Sequence, residues 1–268
     1  MNTVGFLITA RLKSTRLPMK LLAKIGEHEI FRHVIRRAKS IAGIDRVVLC
    51  TSPHLQDLPL IEIAKEEGIY YFFGSEADVL DRLGQAASTF GLDAFISMTA
   101  DCPVFCTYHA TRVADLLRRD ESIDYVYIPD LPIGTAVYGL NTCAVRAACE
   151  LKTEVDTEIW GPFINHPKFF SVHPLQATPG FQIPARLTID HPEDYFFMLA
   201  LASHFKGDFS SLTLPDIGRI IQAHPELTHI NSGIIQRKAS EELLATLEAF
   251  FTNNEARIRE IIKRHKKS

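Results

Sequence analysis

Residues 4–20, VGFLITARLKSTRLPMK, join a short apolar run directly to a basic loop. Residues 4–8 are typical of a buried parallel strand. The loop carries four cations and two hydroxyls within ten residues: Arg11, Lys13, Ser14, Thr15, Arg16 and Lys20. Such a loop after a strand suits a polyphosphate, because arginine can fork two oxygens and lysine acts as a point charge. Many basic surface loops bind nothing, so the charges alone leave both interpretations open.

Strand-like and helix-like stretches alternate through the first half of the chain. Further strands are predicted at residues 46–50, 69–73, 94–98 and 125–128. Amphipathic helices are predicted at residues 30–38, 57–68, 79–90 and 110–117. This alternation indicates an α/β domain with a mostly parallel sheet, which binds its ligands beyond the carboxyl ends of the strands.

The second half of the chain has a different pattern. Residues 129–180 are rich in proline with short apolar runs between, which predicts an excursion from the main sheet and not an independent domain. A strand at residues 185–189 is expected to return the chain to the sheet. Residues 238–268 are predicted to form a C-terminal helix capped by Ser240. We therefore predict one domain over residues 1–268.

Composition excludes several classes of protein. With 29 basic and 32 acidic side chains the net charge is −3, which gives no general attraction to nucleic acid or acidic membranes. No stretch approaches the ~20 apolar residues of a membrane span. The opening apolar run lacks the flanks of a signal peptide. Five cysteines are too few for a disulfide scaffold, and we expect reduced thiols in a cytoplasmic protein.

The order of residues in the basic loop is more informative than its charge. Ala10-Arg11 is followed by serine-x-arginine-leucine-proline-x-lysine at residues 14–20. This resembles the signature of the cytidylyltransferases that activate sugar acids, such as the 3-deoxy-manno-octulosonate and acylneuraminate enzymes. The resemblance is greatest to their spore coat polysaccharide biosynthesis (SpsF-like) branch. Further matches follow in the same order at residues 74–82, 99–103 and 188–194, which read GSEADVLDR, TADCP and TIDHPED.

The resemblance implies a fold and a reaction. The fold would be a three-layer, Rossmann-like nucleotidyltransferase fold (nucleotide-diphospho-sugar transferase, similar to GT-A) with a mostly parallel mixed sheet and a small dimerisation arm. The reaction would join CTP to a sugar acid or related carbohydrate and release pyrophosphate, in surface polysaccharide or glycoconjugate biosynthesis. The partners implied are CTP, a carbohydrate acceptor and a second copy of the chain, without nucleic acid or membrane.

The resemblance also assigns roles to single residues. The implied nucleotide-binding residues are Ala10, Arg11, Ser14, Arg16, Lys20, Ser75 and Arg82. Arg11, Lys20 and Asp101 are expected to be catalytic, and Asp101 with Asp190 would hold Mg²⁺, a cation that prefers hard oxygen ligands. Each role has a structural alternative: the aspartates can cap turns, Ser75 can cap a helix, and Arg82 can pair with Asp81.

The acceptor region departs from the pattern of the branch. Where the branch has proline-x-glycine-x-aspartate-x-glutamate, the chain has Ala136 and Tyr138 in place of the two acids. The glutamate-histidine pair of the branch becomes Glu158-Ile159, so the histidine is missing. Glu158 is expected to contact the acceptor or to have a structural role. These changes predict an unusual acceptor.

Two other functions remain open at this point. A GT-A-type glycosyltransferase would use a nucleotide sugar on a similar sheet, but such enzymes usually need an Asp-x-Asp motif, which this chain lacks. A non-catalytic nucleotide-binding homologue would have lost its acceptor site. For the dimer arm, the aromatic candidates are Tyr138, Trp160, Phe163, Phe169 and Phe170.

Overall fold

The computed structural model describes residues 1–152 and 156–266. The strands in these ranges are β1 (Val4–Thr9), β2 (Lys24–Ile25), β3 (His28–Glu29), β4 (Arg46–Thr51), β5 (Tyr70–Phe73), β6 (Ala94–Thr99), β7 (Tyr125–Tyr127), β8 (Tyr138–Asn141) and β9 (Val172–Pro174). The α-helices are α1 (Ile30–Lys39), α2 (Leu58–Glu66), α3 (Val79–Thr89), α4 (Thr107–Arg119), α5 (Thr142–Leu151), α6 (Pro192–Ser203), α7 (Leu214–Ala223), α8 (Glu241–Asn253) and α9 (Glu255–His265).

Within the described residues, seven strands form one sheet in the order β5-β4-β1-β6-β8-β7-β9. Strands β5, β4, β1 and β6 are parallel to one another, and β9 is parallel to β7. Only β8 runs antiparallel to both of its neighbours in this sheet of the described ranges. The predicted mostly parallel mixed sheet is confirmed. The carboxyl ends of β1, β4 and β6 therefore lie at one edge.

Alternate residues of β1 separate two helical layers. Phe6 and Ile8 pack with α1, α2 and α4 in one core, whereas Leu7 packs with α3, α5 and α9 in the other. All three side chains are fully buried, as expected for a strand covered on both faces. The three-layer α/β architecture is thus confirmed.

The prediction that residues 129–180 leave the main sheet is wrong. Strand β8 lies between β6 and β7, and β9 extends the same sheet. A reversed four-residue strand has no helical crossover and little alternation, so its sequence gives a weak signal. Gly139 on β8 also lets α4 approach closely, since a Cβ there would lie 2.6 Å from Val113. Residues 153–155 of this segment lie outside the described residues.

Most aromatic side chains proposed for a dimer arm belong to the core. Trp160, Phe163 and Phe170 are buried between the sheet and the C-terminal helices, and Phe169 packs against the same cluster. Tyr138 is 38% exposed. The homodimer itself stays a prediction. The buried rings of Trp160, Phe163 and Phe170 are not available to form its interface.

Two other expectations near the C-terminus are corrected. Residues 185–189 form a loop and not a strand. Instead of the regular hydrogen bonds of a sheet, they make single hydrogen bonds to neighbouring loops. Leu187 N donates to Ile133 O, and Ile189 N donates to Asp101 O, both over 2.8 Å. Residues 238–268 do not form one helix, since α8 ends at Asn253 and α9 begins at Glu255. Ser240 caps α8 as predicted. The last two residues, 267 and 268, lie outside the described ones.

Over residues 1–152 and 156–266, no helix has the length and apolar character needed to cross a bilayer.

Candidate active site

The basic loop, residues 10–20, leaves the carboxyl end of β1 and is held there by a buried carboxylate. Leu12 N donates to Asp57 Oδ1 over 2.7 Å. Asp57 is fully buried and its Oδ2 also accepts from Thr51 Oγ1 (3.2 Å) and Ser52 Oγ (2.6 Å). The end of β4 and the start of α2 thus fix the first half of the loop. The sequence pattern identified Asp57 only as the start of a helix.

Lys20 ends the loop and lies between two carboxylates. Its Nζ donates to Asp101 Oδ2 (2.7 Å), to Asp190 Oδ1 (3.0 Å) and to the carbonyl of Ile189 (2.7 Å). These three acceptors match the three protons of an ammonium group. Lys20 is only 8% exposed, so the ion pairs are largely shielded from water. The structure therefore brings together three residues that the sequence assigned to one site.

The two aspartates come from different parts of the chain. Asp101 lies two residues after β6, as the sequence predicted. Asp190 does not end a strand; it lies in the loop that enters α6. The hydrogen bond from Ile189 N to Asp101 O (2.8 Å) fixes that loop beside β6. Because this hydrogen bond anchors the loop, the carboxylate of Asp190 lies beside Asp101 although no strand precedes it.

Three cations surround Asp190, and one of them was not predicted. Besides Lys20, Arg16 Nη2 lies 3.0 Å from Oδ1 and Arg186 Nη2 lies 2.8 Å from Oδ2. Arg186 also pairs with the buried Asp194 over 2.9 Å. Asp194 accepts from Asp190 N (2.9 Å) and His191 N (3.0 Å), so its carboxylate caps the first turn of α6. Nothing in the local sequence of Arg186 indicated its role.

Lys20 and Asp101 each stabilise the charged form of the other. Burial alone would lower the pKa of Lys20, but the carboxylates of Asp101 and Asp190 outweigh it and raise that pKa above its ordinary value. Burial alone would raise the pKa of Asp101, but Lys20 holds it below its ordinary value. Both groups therefore stay charged at neutral pH.

A second group of charges covers the mouth of the basic loop. Arg11 Nη1 donates to the carbonyl of Glu76 (3.0 Å), and Lys13 Nζ lies 2.9 Å from Glu76 Oε1. Arg11 Nη2 lies 3.8 Å from Oε1 of Glu158. The other carboxylate oxygen of Glu158, Oε2, lies 3.1 Å from Arg237 Nη1. Glu76 and Arg237 were not predicted as site residues, because single charged residues in loops give no sequence signal.

Arg82 and Ser75 shape the loop before α3. Arg82 is 1% exposed and its Nη1 donates to the carbonyls of Ser75 and Glu76. Burial lowers the pKa of Arg82. Ser75 Oγ accepts from Asp78 N (3.1 Å), but the N-cap of α3 is Asp78, so the helix-cap interpretation of Ser75 is wrong.

The alternative pairing of Arg82 is also resolved. Asp81 Oδ2 accepts from Gln85 Nε2 over 2.6 Å, whereas the guanidinium of Arg82 donates to backbone carbonyls. Arg82 and Ala10 line the cleft above the basic loop, and so does Ser14, whose Oγ accepts from Leu17 N (3.3 Å). Nucleotide contacts by Ala10, Ser14, Ser75 and Arg82 stay predictions.

The site opens into two adjoining clefts. The first, of about 560 Å³, is lined by the basic loop, Lys20, both aspartates and Arg82. The second, of about 590 Å³, is lined mainly by apolar and aromatic side chains. Asp101, Asp190 and Glu158 border both clefts. Two ligands could therefore meet beside the aspartates.

The three departures in the acceptor region all line the second cleft. Ala136, Tyr138 and Ile159 line it together. The Tyr138 ring lies 5.3 Å from that of Trp160, nearly edge to face. These three departures are thus clustered where a second substrate would lie, while the first cleft retains its charges.

The donor set is compatible with a magnesium ion that also binds a nucleotide. Among residues 1–152 and 156–266, no group of three or more His, Cys, Asp or Glu side chains could hold a metal. Asp101 and Asp190 supply two carboxylates, and Mg²⁺ commonly takes one or two together with phosphates and water. Asp101 Oδ1 lies 3.5 Å from Cys102 Sγ, a weak donor. The chain therefore fits a metal that arrives with triphosphate, and not a closed protein cage.

Comparison with known proteins identifies the family. A family model described as cytidylyltransferase matches residues 6–202. The spore coat polysaccharide biosynthesis protein SpsF of Bacillus subtilis is 31% identical over 234 residues, which cover 84% of this chain and 97% of SpsF.

Solved structures show the same fold. A cytidylyltransferase from Leptospira borgpetersenii superposes with a TM-score of 0.79 at 25% identity, covering 88% of this chain and all of that one. CMP:2-keto-3-deoxy-manno-octonic acid synthetase, solved with CTP, gives a TM-score of 0.60 at 15% identity over 75% of this chain and 98% of its own. Together with the SpsF match and the family model, these similarities show that the chain belongs to the cytidylyltransferase family, in its SpsF-like branch.

Proposed function

We propose that the protein is a cytidylyltransferase that transfers CMP from CTP to a carbohydrate acceptor and releases pyrophosphate. The observation that supports this most strongly is Lys20, buried between Asp101 and Asp190 at the junction of the two clefts. The similarity to a synthetase solved with CTP supports the choice of nucleotide. Surface polysaccharide or glycoconjugate synthesis is the proposed context, from the similarity to SpsF.

In the proposed reaction, an acceptor hydroxyl attacks the α-phosphorus in line. A bond forms between the acceptor oxygen and phosphorus, the bond from that phosphorus to the bridging oxygen breaks, and the hydroxyl proton passes to water. Phosphoryl-type transfer depends mainly on positioning and charge stabilisation. A covalent protein nucleophile is not needed.

The chain's own residues would supply that positioning and charge. Arg11, Arg16 and Lys20 would bind the triphosphate and stabilise the charge that develops on the leaving pyrophosphate. Asp101 and Asp190 would hold Mg²⁺, which when bound polarises phosphate oxygens. Asp57 fixes the loop that carries the arginines. The second cleft would orient the acceptor beside Asp101.

The test is release of pyrophosphate in the presence of Mg²⁺. CTP, GTP, UTP and ATP are offered in turn with a panel of sugar acids, sugar phosphates and polyols. We expect release with CTP and with one class of acceptor. Preference for another triphosphate would contradict the choice of CTP. Transfer of the sugar moiety of a nucleotide sugar to an acceptor, with release of the nucleotide and without pyrophosphate, would instead identify a glycosyltransferase.

Binding measurements separate an enzyme from a non-catalytic homologue. If calorimetry detects CTP with Mg²⁺ but every acceptor class fails to release pyrophosphate, a non-catalytic nucleotide-binding role is favoured. If CTP does not bind at all, the assignment of the basic loop to the triphosphate is wrong.

A further inference from the structure

Glu158 occupies the space between two arginines from distant parts of the chain. Its Oε1 lies 3.8 Å from Arg11 Nη2 and its Oε2 lies 3.1 Å from Arg237 Nη1. Arg11 belongs to the basic loop, and Arg237 follows α7 by 14 residues, beyond the part that matches the family model. The carboxylate therefore bridges two guanidinium groups that would otherwise face the same cleft.

The position of Arg237 is set by its neighbours. The preceding residue, Gln236, accepts a hydrogen bond from Arg186, which also binds Asp190. Earlier in the same segment, Asn231 donates to the carbonyl of Arg186 (3.1 Å) and to Asp194 (3.0 Å). These contacts attach the segment that carries Arg237 to the aspartate side of the site.

The bridge itself is accessible and weakly held. The side chains of Glu158 and Arg237 are 51% and 66% exposed, and that of Arg11 is 24% exposed. Exposed ion pairs contribute little stability, because water and salt screen the attraction between the charges. An anion with more charge and with oxygens that fit a guanidinium fork would compete well for both arginines.

We infer that Arg237 is an additional phosphate-binding residue, and that Glu158 holds the place of a nucleotide phosphate between Arg237 and Arg11 in the ligand-free protein. The ligand class is a nucleotide polyphosphate. Binding of the phosphate displaces the Glu158 carboxylate, which turns toward solvent. The identity of the nucleotide, CTP, rests on the proposed function. The binding of a phosphate by Arg237 does not depend on it.

The inference predicts opposite effects for the two partners. Arg237→Gln is expected to weaken CTP binding about tenfold, since a charge-assisted hydrogen bond contributes at about that level. Glu158→Gln is expected to strengthen it about threefold, because a neutral amide competes less for the arginines. A role of this ion pair in folding alone would make both variants bind CTP less well.

Calorimetry on the full chain tests both expected changes in affinity, the loss in Arg237→Gln and the gain in Glu158→Gln. The probes are CTP, inorganic pyrophosphate and cytidine. Lys238→Gln is the matched control, since it removes a neighbouring exposed cation from the same segment. We expect Arg237→Gln to weaken CTP and pyrophosphate, Glu158→Gln to strengthen both, and cytidine to bind all four proteins alike. Circular dichroism and melting temperature establish that each variant is folded.

Several results would overturn the inference. It is wrong if Arg237→Gln binds CTP and pyrophosphate as the wild type does, if Glu158→Gln binds them less tightly, or if Lys238→Gln reproduces the loss. It is also wrong if Arg237→Gln changes only the KM of the acceptor. If the wild type binds pyrophosphate with this dependence on Arg237 but does not bind CTP, the proposed function fails and the phosphate site remains.

Discussion

The two clefts of the candidate active site are built from opposite kinds of residue. The first is bordered by a buried network in which Lys20 joins Asp101 to Asp190, and Arg186 joins Asp190 to Asp194. The second shares Arg16, Asp101, Glu158, Asp190 and Arg237 with the first, and is otherwise lined mainly by apolar and aromatic side chains. Each charged residue of such a network needs its partners, because a buried charge without a partner destabilises the folded state. An apolar lining can change one residue at a time, which fits the position of Ala136, Tyr138 and Ile159 in the second cleft.

The largest expected effect tests whether the charged cleft is the reactive one. Asp101→Asn should reduce turnover about a thousandfold while the fold is kept, because the change removes charge but hardly any volume. Pyrophosphate release and circular dichroism measure the two properties. Asp115→Asn, on the exposed side of α4, is the matched control and should behave as the wild type. Near-normal turnover in Asp101→Asn would remove that residue from the site.

Lys20→Met should have the next largest effect, about a hundredfold on CTP use, through the loss of a cation on the leaving phosphates. It also leaves Asp101 and Asp190 without the ammonium that separates them. Kinetics with varied CTP measure the change, and Lys24→Met on the exposed face of β2 is the control. If CTP dependence is unchanged in Lys20→Met, Lys20 does not contact the triphosphate.

Gly134 lines the second cleft and packs against the backbone segment that leads to Asp190, so its substitution should disturb both clefts. Its φ is +86°, and a Cβ there would lie 2.5 Å from the backbone of Leu187 and Thr188, which lead to Asp190. Gly134→Ala should cost about 2 kcal/mol and lower the melting temperature by several degrees. Gly180→Ala has the same φ with nothing within 4 Å, so it measures the backbone strain alone. Equal losses in the two variants would show that the close approach is unimportant.

Asp57 should affect the nucleotide side without touching a ligand. Asp57→Leu leaves Leu12 N without its acceptor and should raise the KM for CTP about tenfold, with a smaller change in kcat. Asp57→Asn keeps an oxygen acceptor and should restore most of the affinity. The KM of the acceptor should be unchanged in both. Equal defects in Asp57→Leu and Asp57→Asn, or a parallel rise in the acceptor KM, would contradict a positioning role.

The smallest expected effect concerns the second cleft. Tyr138→Ala removes a 38% exposed ring that lies against Trp160, and it should raise the acceptor KM about fivefold, since stacking contacts contribute modestly. Tyr138→Phe keeps the ring and serves as the control. The KM for CTP should stay constant in both. A rise in the CTP KM instead would place the nucleotide in the second cleft.

Sequence reasoning was most successful where local patterns carry long-range information. The strands beginning at residues 4, 46 and 94 were predicted within a residue at each end, because buried parallel strands are continuous apolar runs. It failed for β8, whose reversed direction depends on tertiary pairing. It also failed for residues 185–189, where a loop anchored by Asp101 looks like a strand in its composition.

The same distinction applies to the site. Lys20, Asp101 and Asp190 carry motif signals and do come together in the fold. Asp57 and Arg237 act through contacts with residues far away in the sequence, namely Leu12 and Glu158. Arg186 pairs with Asp190 and Asp194, four and eight positions away, but it lies in a loop whose local sequence carries no motif. Their part in the site could be found only from the structure.

We expect the charged cleft to bind CTP independently of the acceptor cleft. Calorimetric titration of CTP with Mg²⁺ into the wild type, Lys20→Met and Tyr138→Ala tests it without knowledge of the acceptor. We expect binding to the wild type and to Tyr138→Ala with equal affinity, and a loss of about a hundredfold in Lys20→Met. Undiminished binding to Lys20→Met, or a comparable loss in Tyr138→Ala, would contradict this division of the site.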